Sequence, residues 1–169
     1  EYEGYQFEGA EASLELLLRR AMNEYLPGFH LESFRVLVEK RGAQEMISEA
    51  MIKLRVGDRV VHTAAEGDGP VNALDNALRK ALEEFYPIIG NMHLTDYKVR
   101  VLDGKEATAA KVRVLIESKD ATSTWNTVGV STNIIEASWH ALLDSMDYAI
   151  IRKLSEDCQE KEELVAGNK

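Results

Sequence analysis

Two short stretches of this chain could hold a small charged ligand. Gly67-Asp68-Gly69-Pro70-Val71-Asn72 and Gly129-Val130-Ser131-Thr132-Asn133 each lead into a helical pattern. The first N–H groups of a helix have no intrahelical partner, and the helix dipole adds positive potential there, so such an end favours a carboxylate. If the two ends lie near each other, they suit a zwitterion. One takes its carboxylate, carbonyls or an Asn/Asp side chain of the other take its ammonium, and apolar strand residues take its side chain. The same two ends also read as ordinary capped helices, and the residues alone leave both readings open.

Other reactive residue types form no pattern. His30, His62, His93 and His140 occur without a His-x-His or a Cys-x-x-Cys, so no metal-ligand spacing is present. Cys158 is the single cysteine and lies in a polar tail, which argues against both an internal disulfide and a catalytic thiol and fits a reducing, cytoplasmic setting. No G-x-S-x-G, P-loop or dinucleotide fingerprint is found. Gly67-Asp68-Gly69 looks like half a phosphate loop but lacks the Lys-Ser/Thr that would complete it. No catalytic residue, metal or cofactor is expected.

The elements that must position those two ends are written twice. His30-Leu31-Glu32-Ser33-Phe34-Arg35-Val36-Leu37-Val38 returns as His93-Leu94-Thr95-Asp96-Tyr97-Lys98-Val99-Arg100-Val101, which predicts two copies of one supersecondary unit. In the first copy, apolar residues alternate at Phe34, Val36 and Val38, then at Ala50, Ile52, Leu54 and Val56. Gly57-Asp58 turns the chain into a third strand near 59–65. In the second copy the rows are Tyr97, Val99, Val101 and then Ala110, Val112, Val114, Ile116, placed 60 residues after their counterparts. Asp103-Gly104-Lys105 forms the turn, and the last strand covers 123–130.

Each meander feeds a helix. Pro70 suits a first helical position, and Val71, Leu74, Leu78, Ala81, Leu82 and Phe85 follow at helical spacing up to Pro87. In the second copy Asn133 with Glu136 predicts a capping box ahead of Ile134, Ile135, Ser138, Ala141, Leu142, Ser145, Met146 and Ala149. The fold class is therefore α+β. Two pseudo-symmetric βββα units, 30–86 and 93–152, each pair an antiparallel three-stranded sheet with one helix on one face. Residues 9–25 read as a helix closing a linker region, 1–28. The tail, 153–169, is charged and expected to fray.

Composition narrows the partners. The chain carries 20 Lys+Arg against 29 Asp+Glu, a net charge of -9, so no field draws nucleic acid or anionic lipid. The basic strand positions Arg35, Lys53, Arg55, Lys98 and Arg113 are then expected to be solvated or ion-paired across strands. No apolar run approaches the ~20 residues of a membrane span. The chain begins in mid-pattern at Glu1 and reads as a fragment of a longer protein.

Several long motifs carry a family resemblance. Gly67-Asp68-Gly69-Pro70-Val71-Asn72-Ala73-Leu74-Asp75-Asn76-Ala77-Leu78 resembles the G-x-G-P-V-[ND]-A helix start of the C-terminal regulatory domain shared by 2-isopropylmalate synthases and citramalate synthases. The segment Leu94-Thr95-Asp96-Tyr97-Lys98-Val99-Arg100-Val101 and the segment Trp125-Asn126-Thr127-Val128-Gly129-Val130-Ser131-Thr132-Asn133-Ile134-Ile135 are similar to its second unit, and Gly4-Tyr5-Gln6-Phe7-Glu8-Gly9 to its linker. The wording is nearest to the citramalate synthase branch.

The resemblance implies a feedback-regulatory homodimerisation domain in branched-chain amino-acid biosynthesis, with isoleucine or leucine as allosteric inhibitor. It also implies a parent acyltransferase whose TIM barrel, absent from this chain, condenses acetyl-CoA with a 2-oxo acid. The implied effector pocket is Pro70, Val71 and Asn72 at the first helix start, Leu94, Tyr97, Val101, Thr108, Ala110 and Val112 on the second unit's strands, and Thr132 and Ile134 at the second helix start. A structural dimerisation module without an effector is the alternative.

Overall fold

The computed structural model describes residues 4–102 and 110–166, with side-chain surroundings described as far as Gln159. Thr108 and the expected turn Asp103-Gly104-Lys105 lie outside the described residues. A short helix, α1 (Glu11–Ala21), precedes the first meander, β1 (His30–Lys40), β2 (Met46–Val56) and β3 (Arg59–Gly67), which is followed by α2 (Pro70–Leu82). A one-turn helix, α3 (Ile88–Asn91), joins this unit to β4 (His93–Val101), β5 (Val112–Lys119), β6 (Thr124–Ser131) and α4 (Ile134–Ala166). The strands form two antiparallel sheets, β1-β2-β3 and β4-β5-β6, each with its own helix, as the two-unit reading requires.

Strand register corrects the internal alignment. Phe34 faces Ile52 and Tyr97 faces Ile116, so Ile52 and Ile116 are counterparts at an offset of 64, where sequence matching suggested 60. The same offset relates Thr63 to Thr127 and Ala77 to Ala141. The Thr63 hydroxyl donates to Ala77 O at 2.9 Å, and the Thr127 hydroxyl to Ala141 O at 2.8 Å. Matching apolar residues four positions out of step preserves the alternation, so periodicity does not detect the slip. Irregularities in pairing also recur, between Leu31 and Ser33 and between Leu94 and Asp96.

The core lies between the helices and the sheets. Ile52, Leu54, Leu74, Leu78 and Leu82 fill it from the first unit, and Val114, Ile116, Leu142 and Met146 from the second. The segment expected to close a linker is a further layer on the outer face of the second sheet. Tyr5, Phe7 and Ala10 pack there on Val128, Val130, Leu102 and Leu115. Arg113 ties this segment down, donating from Nε to Gly4 O at 2.7 Å and from Nη1 to Gln6 Oε1 at 2.8 Å. Lys53, Arg55 and Lys98 are ion-paired with Glu32, Glu32 and Asp96.

Two expectations at α4 need correction. The tail continues the helix as far as Ala166, because it contains no Gly or Pro before Gly167 and is built from Glu, Lys, Leu and Ala, which are good helix formers. Lys153 pairs with Asp157 at 2.9 Å, one turn on. The capping box is also altered. The Asn133 side chain accepts from Ile135 N at 2.9 Å, but Glu136 does not reach back to Asn133 N. Ser131 intervenes, accepting from Asn133 N at 3.0 Å and donating to Glu136 Oε2 at 2.5 Å.

The β5–β6 turn is locked to α4 by Asp120. It accepts N–H bonds from Thr122 and Ser123, both at 2.8 Å, and pairs with Arg152, whose guanidinium lies 5.0 Å over the Trp125 ring. Burial pushes the Asp120 carboxyl upward, but the Thr122 and Ser123 N–H groups, the Thr122 hydroxyl and Arg152 outweigh it and hold the group below the ordinary aspartate value. A carboxylate whose folded-state value is depressed contributes stability above its unfolded value, near pH 3.9, and loses it as pH falls through the folded value. Asp120→Asn is expected to cost stability at pH 7 and to show a shallower acid limb. Urea denaturation of both proteins from pH 7 to pH 3 checks this, and the gap between them should close at the acid end.

Candidate functional site

The two units meet along a seam where α2 and α3 contact α4. At one end of the seam α4 presents Trp139 to β1. Its ring stacks on Phe34 with centroids 5.0 Å apart, and Trp139 is buried. The repeat counterparts of Phe34 and Trp139 are Tyr97 on β4 and Asp75 on α2. Where the first pair fills its space with two aromatic rings, the second leaves a cavity of about 650 Å³, lined by Val71, Asn72, Asp75, Arg79, Glu83, Ile89, Gly90, Met92, His93, Leu94 and Tyr97. That volume lies within the ~300–1,000 Å³ of small-molecule sites.

The upper wall of the cavity is the start of α2. Ala73 N makes the first intrahelical bond, to Gly69 O at 2.9 Å, and Pro70 has no N–H, so the N–H groups of Val71 and Asn72 have no partner within the helix. The Asn72 side chain is turned back to accept from Asp68 N at 3.1 Å. One turn further, Asp75 Oδ2 accepts from Arg79 Nε at 2.9 Å, while Asp75 Oδ1 is buried without a hydrogen-bond partner. Arg79 is held by backbone as well, donating from Nη1 to Ile89 O at 3.0 Å and to Met92 O at 2.7 Å. Leu94, Tyr97, Ile89 and Met92 supply the apolar wall.

Tyr97 connects this cavity to α4. Its hydroxyl lies 2.8 Å from Ser138 Oγ, and Ser138 itself donates to Ile134 O at 2.7 Å, so Tyr97 is the donor in the pair. The phenol that lines the cavity beside the α2 start is thus bonded to the first turns of α4.

Of the residues expected to form the pocket, the structure gathers Val71, Asn72, Leu94 and Tyr97 around one cavity, with Pro70 opening α2 beside it. Val101 and Val112 lie further along the second sheet and Thr132 and Ile134 at the start of α4, and none of the four lines the cavity. Val112 faces Val101 and Ser131, four residues along β4 from Tyr97, roughly 13 Å at about 3.3 Å per residue. Val101 and Ile134 are exposed, as is Thr132. Ala110 is buried just before β5, and Thr108 is outside the described residues. Sequence reasoning missed Asp75 and Arg79. Their i,i+4 spacing on a helix was a usable signal, but it also fits an ordinary surface ion pair.

A larger cavity, about 940 Å³, lies between α1, the β1 start and α4. Its carboxylates are engaged. Asp144 accepts from Ser13 and Arg20, both at 2.8 Å, and Asp147 accepts from the Tyr25 hydroxyl and from Gly28 N at 3.3 Å. Burial and the bond to Asp147 push the Tyr25 phenol up to about 12. This network fastens the N-terminal segment to α4. His30 and His93 are exposed at the starts of β1 and β4, and among the described residues no three His, Cys, Asp or Glu side chains gather as a metal site. No helix among them is long and apolar enough to cross a membrane.

Comparison with known proteins gives a consistent family. The LeuA allosteric (dimerisation) domain matches residues 8–150. The chain is 58% identical over 151 residues to the (R)-citramalate synthase of Geobacter sulfurreducens, an alignment covering 89% of this chain and 29% of that protein. It is 52% identical over 153 residues to the (R)-citramalate synthase of Aquifex aeolicus, covering 90% and 29%. The 2-isopropylmalate synthase of Ruminiclostridium cellulolyticum is more distant, 32% identical over 123 residues, covering 72% and 22%. The chain spans less than a third of the length of these relatives.

Proposed function

From the premise that this chain belongs to the LeuA allosteric (dimerisation) domain family, we propose that it binds a branched-chain amino acid, isoleucine ahead of leucine, as a feedback effector in the cavity between α2 and β4. The observation that carries this reading is the meeting of an unpartnered helix start, Val71 and Asn72, with an apolar wall, Leu94 and Tyr97, in one cavity of amino-acid scale. The helix start receives the carboxylate, and the wall receives the alkyl chain. Burial of such a side chain is worth roughly 1.5–3 kcal/mol.

In the complete polypeptide the domain acts as a homodimer. It regulates a catalytic barrel that condenses acetyl-CoA with a 2-oxo acid to give citramalate. Control of that kind needs an effector with different affinity for two states. The Tyr97–Ser138 bond suits this need, because it joins the cavity to the first turns of α4.

A thermal-shift series with the twenty amino acids tests the proposal. Ligand at ~100 Kd adds about 2.7 kcal/mol, which for a chain of this size raises Tm by about 5–10 °C. Isoleucine is expected to give the largest shift. A flat response to isoleucine, leucine and valine at millimolar concentration would leave a structural dimerisation module.

A further inference from the structure

We infer that Asp75 is the residue that recognises the effector's ammonium group and so lets the site distinguish an amino acid from its deaminated analogue. This rests on the amino-acid reading of the α2–β4 cavity. Three observations carry it. Asp75 is 8% exposed, lines the cavity and has one carboxylate oxygen without a hydrogen-bond partner. A buried acceptor left unpaired is costly, and native structures rarely keep one without a use.

Second, the charged residues lining the cavity, Asp75, Glu83 and Arg79, leave one negative charge uncompensated, which favours a cationic group. Arg79 already satisfies Asp75 Oδ2 and two backbone carbonyls, so the ion pair fixes the carboxylate in place without using Oδ1. Third, the repeat counterpart of Asp75 is Trp139, which fills the equivalent space against Phe34. The carboxylate therefore stands, at the open end of the seam, where an indole stands at the closed end. Asp75 also follows the Val71 and Asn72 N–H groups by one helical turn, about 5.4 Å, a spacing compatible with the two ends of a zwitterion.

Calorimetry with isoleucine and with 3-methyl-2-oxopentanoate, which has the same carbon skeleton and no ammonium, tests the assignment. The unaltered chain should favour isoleucine by roughly 30-fold or more, the size expected for a desolvated charge pair. Asp75→Asn keeps an acceptor for Arg79 and should remove most of that preference while leaving the weak binding of the oxo acid unchanged. Equal isoleucine affinity in Asp75→Asn and the parent overturns the inference and leaves the amino-acid reading standing. Equal affinity of the unaltered chain for both compounds overturns it without any variant. Failure of the unaltered chain to bind isoleucine at all removes the amino-acid reading, and this inference with it.

Discussion

Gly129→Ala should destabilise the chain by about 3 kcal/mol or more, the upper range of overpacking, and lower Tm by about 6–12 °C. A Cβ at Gly129 would stand 1.9 Å from Ala137 O and 2.9 Å from Ala141 N. Both are backbone atoms of α4, so no side chain can rotate aside. The neighbouring Thr127 hydroxyl bonds Ala141 O at 2.8 Å, which fixes the helix against β6 at this separation. Relief would require α4 to lift from the sheet, breaking that bond and loosening Leu142. Gly69→Ala is the matched control. Nothing stands within 4 Å of its would-be Cβ, and its extended backbone suits any residue, so the cost should stay below about 1 kcal/mol. Thermal and urea denaturation of both variants check this, and a Gly129→Ala loss no larger than the control's would refute the close approach.

Trp139→Ala should cost about 3–5 kcal/mol. The indole is buried at the seam and contacts the other unit through Phe34, so its removal leaves a void that neither unit can close alone. Trp139→Phe should recover much of the loss by keeping an aromatic pair. Urea midpoints of the two variants provide the measurement. A cost under about 1 kcal/mol for Trp139→Ala would mean that the seam is held elsewhere. Together with Asp75→Asn the pair of variants probes both ends of one pseudo-symmetric seam, the filled end for stability and the open end for binding.

Much of this architecture is legible in local residue patterns. Alternation along Ala50, Ile52 and Leu54 and along Val114 and Ile116 decides which face of each strand is buried, because side chains alternate across a sheet. Pro70 marks the start of α2 because a first helical residue needs no N–H and the ring presets φ. The repeat is legible because both copies solve the same local problem with the same residue types. The tail of α4 is helical although it is charged, since low hydrophobicity argues against a buried helix but not against a helix.

Neighbours across the repeat, by contrast, depend on how the two units pack. Periodicity says that Tyr97 faces inward. It does not say that α2, from the other unit, lies opposite, nor that Asp75 stands where Trp139 stands in the second copy. Register is likewise invisible to alternation, because a shift of two residues keeps every side chain on its face. The placement of Val101 and Val112 beyond the cavity that Val71, Asn72, Leu94 and Tyr97 line has the same origin. Residues of one motif share a strand or a helix, but strands extend about 3.3 Å per residue and carry their two ends to different places. Local sequence thus sets the elements and most of their buried faces, whereas the cavity exists because two units of the same topology pack with unequal side chains at equivalent positions.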